Sequence, residues 1–597
     1  MSLSSDFIKN SGAFAIGEIL TGDTVVTTIK KYTRYTSCTS TGSLSTNSSQ
    51  AYGRWNCDIH KGGSGNIFNW IIIGTVRGNI TNSSQNGYYL NFDAVNNINF
   101  CKVTNGVSTT LITDNITRNF NSWYNIIIDR SINGIFNLYV NNVCIASVTD
   151  DTFNNSLYTT FDLTTGDRFT NIKLFDGIKL DGNFENQWYG VSYNITNSSP
   201  TLTRIGGTMS YHASLPAQNL LQACLLNDNL SVNYYLNPND WGKRADGTNS
   251  NLDGTDGQVM IRKTAPLYWK FESNGNIRNI KVSLYPIQGF SQTPVWNISA
   301  YEASLNRTNS KLSSVVNSTT SYRGGDNSNW DGLSKSLLGK PATSISSTNF
   351  RTYARNRGTG WNQQIYSSYL EIYWLFVIEY ATFNSQLAVN NSLDANGYRQ
   401  GGLGDGVTTA NGTEWSNFNG NNPFINCGAS NSLGSGTGEV SVNVIDFGGS
   451  GITRTATVNR YRGIENPFGH IWKWVDGVNI YNTNNVTQSL YIIDNPNNLA
   501  DATSSNARFA GLISNTEGYQ KGLLMGSYGD ILPISVGGSS STYMCDYYYP
   551  STSSNAWTAL CVGGTASYGT NAGLLHARVG YSASNASTNF GARLYAR

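Results

Sequence analysis

Charged residues are scarce in this sequence. Lys, Arg, Asp and Glu make up 13% of the 597 residues, and the formal net charge is only +2. A surface that binds nucleic acid needs clustered positive charge to neutralise phosphates, and the sequence has no basic stripe of that kind. We therefore do not expect nucleic acid as a partner.

Long apolar runs are also missing. The longest, Tyr373–Ile378, is far shorter than the roughly 20 residues that cross a bilayer. The N-terminus has no basic segment followed by an apolar stretch and a small-residue cleavage site. We expect neither membrane insertion nor export by a cleavable signal peptide.

The motifs of several enzyme classes are absent. Cysteines never occur with CxxC spacing, and the carboxylate motif E-x-D-x-x-E of jelly-roll glycan hydrolases does not occur. His212, His470 and His576 are far apart and outside any nucleophile or zinc motif, so we interpret them as structural or surface residues. In a chain this long, disulfides are not needed for stability, and the cysteines are predicted to be mostly reduced and buried: Cys38, Cys57, Cys101, Cys144, Cys224, Cys427, Cys545 and Cys561.

Glycine, asparagine, serine, threonine and tyrosine are abundant instead, with 61 Gly and 35 Tyr. These residues favour short strands joined by turns that tolerate positive φ and disfavour long helices. The fold is therefore predicted to be mainly β with some α. The length indicates at least two domains.

From Tyr88 to Phe175, polar and apolar residues alternate with a period of two, which is typical of an antiparallel sandwich. Trp123-Tyr-Asn-Ile-Ile-Ile-Asp-Arg130 leads through a predicted type I′ turn at Asn133-Gly134 to Phe136-Asn-Leu-Tyr-Val-Asn-Asn142, and Asn171-Ile-Lys-Leu-Phe175 follows. This order resembles laminin-G-like, concanavalin-A-like jelly rolls. The resemblance implies glycan binding or a spacer role, and it does not choose between them.

Further along, strands are predicted at 258–262 and 267–271. Ser346–Arg355 has hydroxyl residues that can cap a helix, with Phe350 and Ala354 on one face, and a second helix is predicted over 366–386.

The most specific motif is Asn466-Pro-Phe-Gly-His-Ile-Trp-Lys-Trp-Val-Asp-Gly477, followed by Gly563-Gly564 and a terminal Asn589-Phe-Gly-Ala-Arg-Leu594. Together they resemble the C-type-lectin fold of the formylglycine-generating-enzyme kind. Lys473 replaces the family's Glu between the two tryptophans, Val562 replaces an Arg and Ala592 a Phe. Catalytic members bind copper through a cysteine pair after the Gly-Gly step, but no cysteine follows Cys561 here.

The resemblance therefore favours the non-catalytic branch, which includes ligand-binding proteins of bacteriophages and of diversity-generating retroelements. Ala300-Tyr-Glu-Ala303 and Tyr398-Arg-Gln-Gly-Gly-Leu-Gly-Asp405 are also similar to strings in fibre proteins of gut tailed bacteriophages. This implies a receptor-binding protein of the virion surface, made in the bacterial host cytoplasm.

Between Gly538 and Gly591, tyrosine and asparagine stand among small polar residues, the composition of adaptable binding surfaces. Pro550 excludes a long helix or a central strand around the run Asp546-Tyr-Tyr-Tyr549, so part of that run should be exposed. The predicted ligand-binding residues are Tyr543, Asp546, Tyr547, Tyr548, Tyr549, Trp557, Tyr568, Asn571, Tyr581 and Asn585.

The segment Asp253-Gly-Thr-Asp256 and the residue Asp405 could supply oxygen ligands for Ca²⁺. The acidic residue that closes an EF-hand loop is missing, so turn chemistry explains the pattern better. No cofactor and no metal site is predicted.

The sequence thus predicts a jelly roll over 1–190, a linker and entry segment over 191–257, and a C-type-lectin-like domain over 258–597. The expected function is a non-catalytic phage fibre adhesin, a homotrimer that binds a host cell-surface glycan or protein and contacts other virion proteins. A structural decoration protein and a capsule-degrading enzyme stay open as alternatives.

Overall fold

The structure is a computed structural model. It describes residues 42–597 apart from 48–50, 52, 64–66, 115–117, 131–133, 142, 154, 164–166, 176–185, 286, 288, 326 and 450. The chain forms two compact units. The first contains the described residues up to Trp188, with Leu267–Trp269 and Ser283–Thr293; the second contains Tyr189–Pro266, Lys270–Val282 and Pro294–Arg597.

Short antiparallel strands build the first unit. They are β1 Gly42–Asn47, β2 Gly53–His60, β3 Phe68–Gly74, β4 Gly87–Phe92, β5 Ile98–Thr104, β6 Val107–Asp114, β7 Trp123–Arg130, β8 Ile135–Val140, β9 Val143–Thr149, β10 Tyr158–Leu163 and β11 Arg168–Phe175. One sheet has the order β1-β10-β3-β4-β5-β6, and the other contains β11-β2-β7-β8-β9.

The core of the first unit confirms the period-two prediction. Leu90 and Phe92 of β4 and Ile126 and Ile128 of β7 are fully buried in a single cluster, because every second residue of a strand points to the same side. The predicted turn residue Gly134 has φ +75°, while Asn133 and Asn142 lie outside the described residues.

Most of the remaining strands belong to the second unit. In the first half they are β12 Tyr189–Asn194, β13 Thr203–Gly206, β14 Leu221–Leu226, β15 Val232–Asn237, β16 Asp240–Arg244, β17 Gln258–Lys263, β18 Leu267–Asn274, β19 Ile277–Ser283, β20 Ser291–Thr293, β21 Asn297–Ser299, β22 Ser304–Asn306, β23 Lys311–Ser313, β24 Trp361–Gln363, β25 Val389–Asn390 and β26 Gln400–Gly401. Of these, β20 and the first three residues of β18 belong to the first unit, where they pair with each other. The predicted strand 267–271 therefore begins in the first unit.

The second half continues with β27 Gly438–Val444, β28 Arg454–Tyr461, β29 Ile464–Glu465, β30 Trp472–Thr483, β31 Thr487–Ile492, β32 Arg508–Ile513, β33 Gly518–Met525, β34 Asp530–Val536, β35 Tyr547–Tyr549, β36 Ala556–Val562, β37 Ala577–Tyr581, β38 Phe590–Ala592 and β39 Leu594–Ala596. The α-helices are α1 Tyr211–Ser214, α2 Ser347–Arg355, α3 Tyr366–Tyr380 and α4 Gly412–Asn419. Strands thus outnumber helices, and the mainly β fold class is confirmed.

Two large sheets organise the second unit. One has the order β16-β15-β14-β17-β21-β39-β24, and the other has the order β32-β31-β30-β36-β37-β35-β33-β34, with β38 parallel to β30. Three strands of the first sheet, β14 to β16, lie within 191–257. The segment predicted as a linker is therefore part of a folded sheet, because its apolar residues, such as Leu221, Leu225 and Leu226, are buried there.

Both predicted helices are present, and one is shorter than predicted. Ser346 caps α2 by accepting a hydrogen bond from the Asn349 backbone N–H, as its hydroxyl suggested. Helix α3 ends at Tyr380 rather than near 386, because Ala381 adopts a left-handed conformation with φ 50° and closes the helix. Among the described residues, no helix is both long and apolar enough to cross a membrane.

A buried ion pair fixes the start of β30. Lys473 Nζ lies 2.9 Å from Glu302 Oε1, and His470 Nδ1 lies 2.5 Å from Glu302 Oε2, with all three side chains nearly inaccessible. Burial alone would raise the pKa of Glu302, but the charges of Lys473 and His470 lower it to about 2. The lysine that departs from the lectin-fold motif thus has its own carboxylate partner.

Candidate ligand-binding surface

Strand β35 presents alternate tyrosines to opposite sides. It lies between β33 and β37, with Tyr519 opposite Tyr547 and Arg578 beside Tyr549. Tyr547 and Tyr549 are half-buried, whereas Tyr548 between them is 0% exposed. Successive residues of a strand point to opposite sides of the sheet, so only part of the tyrosine run reaches the surface, as predicted.

Two predicted ligand residues are buried, and the prediction is wrong for both. The Tyr548 hydroxyl donates to the Ser514 carbonyl oxygen at 3.0 Å. The Asp546 carboxylate accepts from the Leu575 backbone N–H at 2.6 Å, and burial raises the pKa of this carboxyl well above its usual range. Each side chain is used inside the fold, because it points to the core side of its segment.

Half-buried tyrosines form a continuous row, which we call the tyrosine surface: Tyr519, Tyr547, Tyr549, Tyr568 and Tyr581. The ring centroids are 5.0 Å apart for Tyr519 and Tyr547, 4.9 Å for Tyr547 and Tyr549, and 5.7 Å for Tyr549 and Tyr568. Such distances are those of packed aromatic pairs, so the rings support one another.

Arg578 joins Tyr581 to this row. Its guanidinium carbon lies 5.1 Å from the Tyr549 ring centroid and 4.3 Å from that of Tyr581. Residues three apart in a regular strand point to opposite sides, but a register shift in the β36–β37 pairing places Arg578 opposite Cys561 and Tyr581 opposite Ala559. The bulge therefore brings Arg578 and Tyr581 to the same side.

Polar groups border the tyrosine surface. The Tyr519 hydroxyl donates to Asn571 Oδ1 at 2.6 Å, and the Tyr547 hydroxyl donates to Glu517 Oε1 at 3.1 Å. Burial raises the pKa of Tyr549 to about 12, so its hydroxyl stays protonated at neutral pH. The surface thus combines apolar ring faces with hydroxyl, amide and carboxylate groups.

Buried residues support the row from inside. His576 is fully buried, with its ring centroid 5.2 Å from Tyr568 and 4.6 Å from Trp472. Burial lowers the pKa of His576 to about 3, which keeps the ring neutral. His212 and His470 are also buried, so all three histidines are structural rather than surface residues.

The other predicted residues lie elsewhere in the second unit. Trp557 belongs to a separate aromatic row with Tyr481, Tyr491 and the exposed Phe509, at centroid distances of 5.0 to 5.6 Å. Tyr543 lies under Lys521, whose Nζ is 5.2 Å from the ring. Asn585 is in the loop after Tyr581.

A polar cavity of about 270 Å³ lies beside that loop. Ser584 and Ala586, on either side of Asn585, line it together with Tyr353 and Asn349 of α2. Thr343, another lining residue, is buried, and its hydroxyl has no hydrogen-bond partner among the described residues. The loop that lines this polar cavity directly follows Tyr581 of the tyrosine surface in the sequence.

The residues considered for metal or redox chemistry have structural contacts. Asp253 Oδ1 accepts from the Thr255 N–H in an Asx turn, and Asp256 Oδ2 accepts from the Tyr234 hydroxyl. No group of three or more His, Cys, Asp or Glu side chains suited to a metal occurs in the described part of the chain. The described cysteines, Cys545 and Cys561 included, are buried, as predicted; Cys38 lies outside the described residues.

Sequence reasoning missed Tyr519 and Arg578. Tyr519 lies 28 residues before Tyr547 and reaches it only through strand pairing. Arg578 had a local signal, because it is a charged residue within the otherwise uncharged strand Ala577–Tyr581.

Comparison with known proteins gives partial likenesses only. No protein-family model matches the chain, and no curated protein matches its sequence. Among solved structures, it is similar to the carbohydrate-binding module CBM66 from Bacillus subtilis, with 19% identity over 22% of this chain and 81% of that chain and a TM-score of 0.20.

Two further solved structures are similar over the same share of this chain. A β-glucanase from Bacillus licheniformis has 14% identity over 22% of this chain and 69% of its own, with a TM-score of 0.19. CG-16, a homodimeric agglutinin from chicken liver, has 14% identity over 22% of this chain and 98% of its own, with a TM-score of 0.18. At such identities and TM-scores no property of these proteins carries over to this chain.

Proposed function

We propose that this protein is a non-catalytic adhesin of a tailed bacteriophage, a fibre protein of the virion surface. Its second unit binds a glycan of the host cell through the tyrosine surface, with a protein receptor as the second choice. The observation that carries the proposal is the row of half-buried tyrosine rings from Tyr519 to Tyr568, which Arg578 extends to Tyr581. Ring faces bind the C–H faces of sugars, while hydroxyl and amide groups such as Asn571 bind their hydroxyls.

Sequence supports the phage assignment. The motif around Trp472 and Trp474 resembles the non-catalytic C-type-lectin fold of bacteriophage ligand-binding proteins, and Lys473 with Glu302 is a departure that the fold accommodates. Weak glycan sites become effective when several are presented together, so a homotrimer is proposed. A particle mass in solution equal to the 65.1 kDa of one chain would contradict it.

Removing the central rings should abolish glycan binding. The experiment compares wild type with a Tyr547→Ala, Tyr549→Ala variant on a glycan array and on intact bacterial cells. Each truncated aromatic hot spot costs about 2 kcal/mol, so affinity should fall at least about 100-fold. Tyr528→Ala is the matched control, because Tyr528 is 56% exposed and lies outside the tyrosine surface.

The alternatives give different results in this assay. Unchanged binding by the double variant would move the receptor site away from the tyrosine surface, and no binding by either protein would favour a structural decoration protein. A capsule-degrading enzyme would release sugar from host capsule. Such hydrolysis needs two carboxylates across the bond, whereas Glu517 is the carboxylate that contacts these rings in the described part of the chain.

A further inference from the structure

Arg578, in the tyrosine surface, has no carboxylate partner among the residues that the structure describes. Arg578 is half-buried, and its Nη1 donates to the Tyr568 hydroxyl at 3.3 Å. Its Nε is buried and has no hydrogen-bond partner among the described residues. A guanidinium has five N–H donors, so most of those of Arg578 are unused within the described protein.

The carboxylates close in sequence to the tyrosine surface are used elsewhere. Asp546, on the segment that enters β35, is buried, its carboxylate accepts from the Leu575 backbone N–H, and burial raises the pKa of this carboxyl well above its usual range. Glu517 is exposed and accepts from the Tyr547 hydroxyl, while Arg578 stacks on the next ring of the row, Tyr549. Neither neutralises Arg578.

The rings fix the orientation of this guanidinium. Arg578 stacks between Tyr549 and Tyr581, at 5.1 and 4.3 Å from their centroids. Stacking restrains the flat group and leaves its N–H edge for hydrogen bonds in the plane, which is the geometry that binds carboxylate or sulfate oxygens in pairs. A restrained arginine also loses little further entropy when a ligand binds.

We propose that Arg578 makes the tyrosine surface specific for acidic glycans. The anionic group of a sugar, either the carboxylate of a uronic or sialic acid or a sulfate ester, binds the guanidinium, while neighbouring sugar rings stack on Tyr549 and Tyr581. Glu517 repels a second anion near Tyr547, so the acidic sugar binds on the Arg578 side of Tyr549. The inference rests on the proposed glycan-binding function and names its ligand class.

Matched probes separate charge from shape. Binding is measured by calorimetry with oligoglucuronate, oligogalacturonate and oligosialic acid, each beside its carboxyl-reduced, neutral counterpart, and with a sulfated and an unsulfated galactan. Wild type should prefer an acidic member of at least one pair by about 10- to 100-fold, the range of one charge-assisted hydrogen-bonded contact. A preference within the carboxylate pairs alone identifies uronic or sialic acid, and one within the sulfate pair alone identifies a sulfate ester.

Three variants test the residue. Arg578→Met keeps an apolar side chain and should lose the preference for acidic glycans. Arg578→Lys keeps the positive charge but lacks the planar guanidinium, so it should retain part of that preference. Arg399→Met removes an exposed arginine outside the tyrosine surface and should change nothing. Circular dichroism melting confirms that each variant folds, and raising the salt concentration should weaken binding to wild type more than to Arg578→Met.

The outcomes distinguish this inference from the proposed function. If neutral glycans bind as well as acidic ones, and binding is lost in Tyr547→Ala, Tyr549→Ala but kept in Arg578→Met, the glycan-binding surface stands and the inference is overturned. If no probe binds wild type, and no glycan on the array does, both are overturned. An acidic preference that survives Arg578→Met also overturns the inference.

Discussion

Replacing Glu302 with glutamine should lower the free energy of unfolding of the second unit by about 3 to 5 kcal/mol, because it leaves Lys473 buried without its counter-ion. The two charged groups are 2.9 Å apart, and each side chain is 2% exposed. Burial lowers the pKa of Lys473 to about 8, so this lysine is already harder to charge than an exposed one. Tryptophan fluorescence during denaturant unfolding is the measurement, since Trp472 and Trp474 flank the lysine in the core.

Two controls separate the ion pair from the loss of a side chain. The double variant Glu302→Gln, Lys473→Met removes both charges and should recover most of the loss, because a neutral pair needs no counter-ion. Glu272→Gln, in the partly exposed pair with Lys270, should change stability by less than about 1 kcal/mol. A double variant less stable than Glu302→Gln would contradict the ion-pair explanation.

The acid limit of stability follows from the same carboxylate. Its folded pKa of about 2 is below the ordinary 4.5, so it contributes stability above pH 4.5 that is lost as the pH falls towards 2. The Glu302→Gln variant should show a shallower loss in that window.

Truncating Tyr548 should damage the fold, whereas truncating Tyr547 should damage binding. Tyr548 is 0% exposed, and its replacement by alanine leaves a large cavity in the sheet, which should destabilise the second unit by about 3 to 5 kcal/mol. Tyr548→Phe removes only the hydroxyl that donates to Ser514 and should cost about 1 kcal/mol. Unfolding midpoints and glycan affinity, both measured on each variant, test the division.

The neighbouring residue is the matched control for this pair. Tyr547→Ala truncates the same kind of side chain one position earlier, but the half-buried ring should cost far less stability. If Tyr547→Ala and Tyr548→Ala lowered stability equally, the alternation of β35 would be wrong. If Tyr548→Ala melted like wild type and lost only binding, Tyr548 would belong to the ligand surface after all.

Local patterns in the sequence predicted several elements well. The alternation in β4, β7 and β8 predicted strands whose inward residues share one core, because strand periodicity needs only neighbouring residues. The Ser346 cap predicted the start of α2 for the same reason. The end of α3 was not predicted, because nothing in the residues after Tyr380 requires the left-handed conformation of Ala381.

The sequence predicted only some residues of the candidate surface. Composition by itself pointed to the segment 538–591 and to four members of the tyrosine surface, since tyrosine and small polar residues are concentrated there. Tertiary structure decided which of the predicted residues face outward: Asp546 and Tyr548 are buried, and Trp557 lies in another row. It also brought in Tyr519 and Arg578, because strand pairing and a β-bulge join residues that are far apart in the chain or out of register within it. Sequence alone thus determined the kind of side chain available for binding, and the pairing of β33, β35 and β37 decided which of them form one surface, since that pairing depends on packing across the whole sheet.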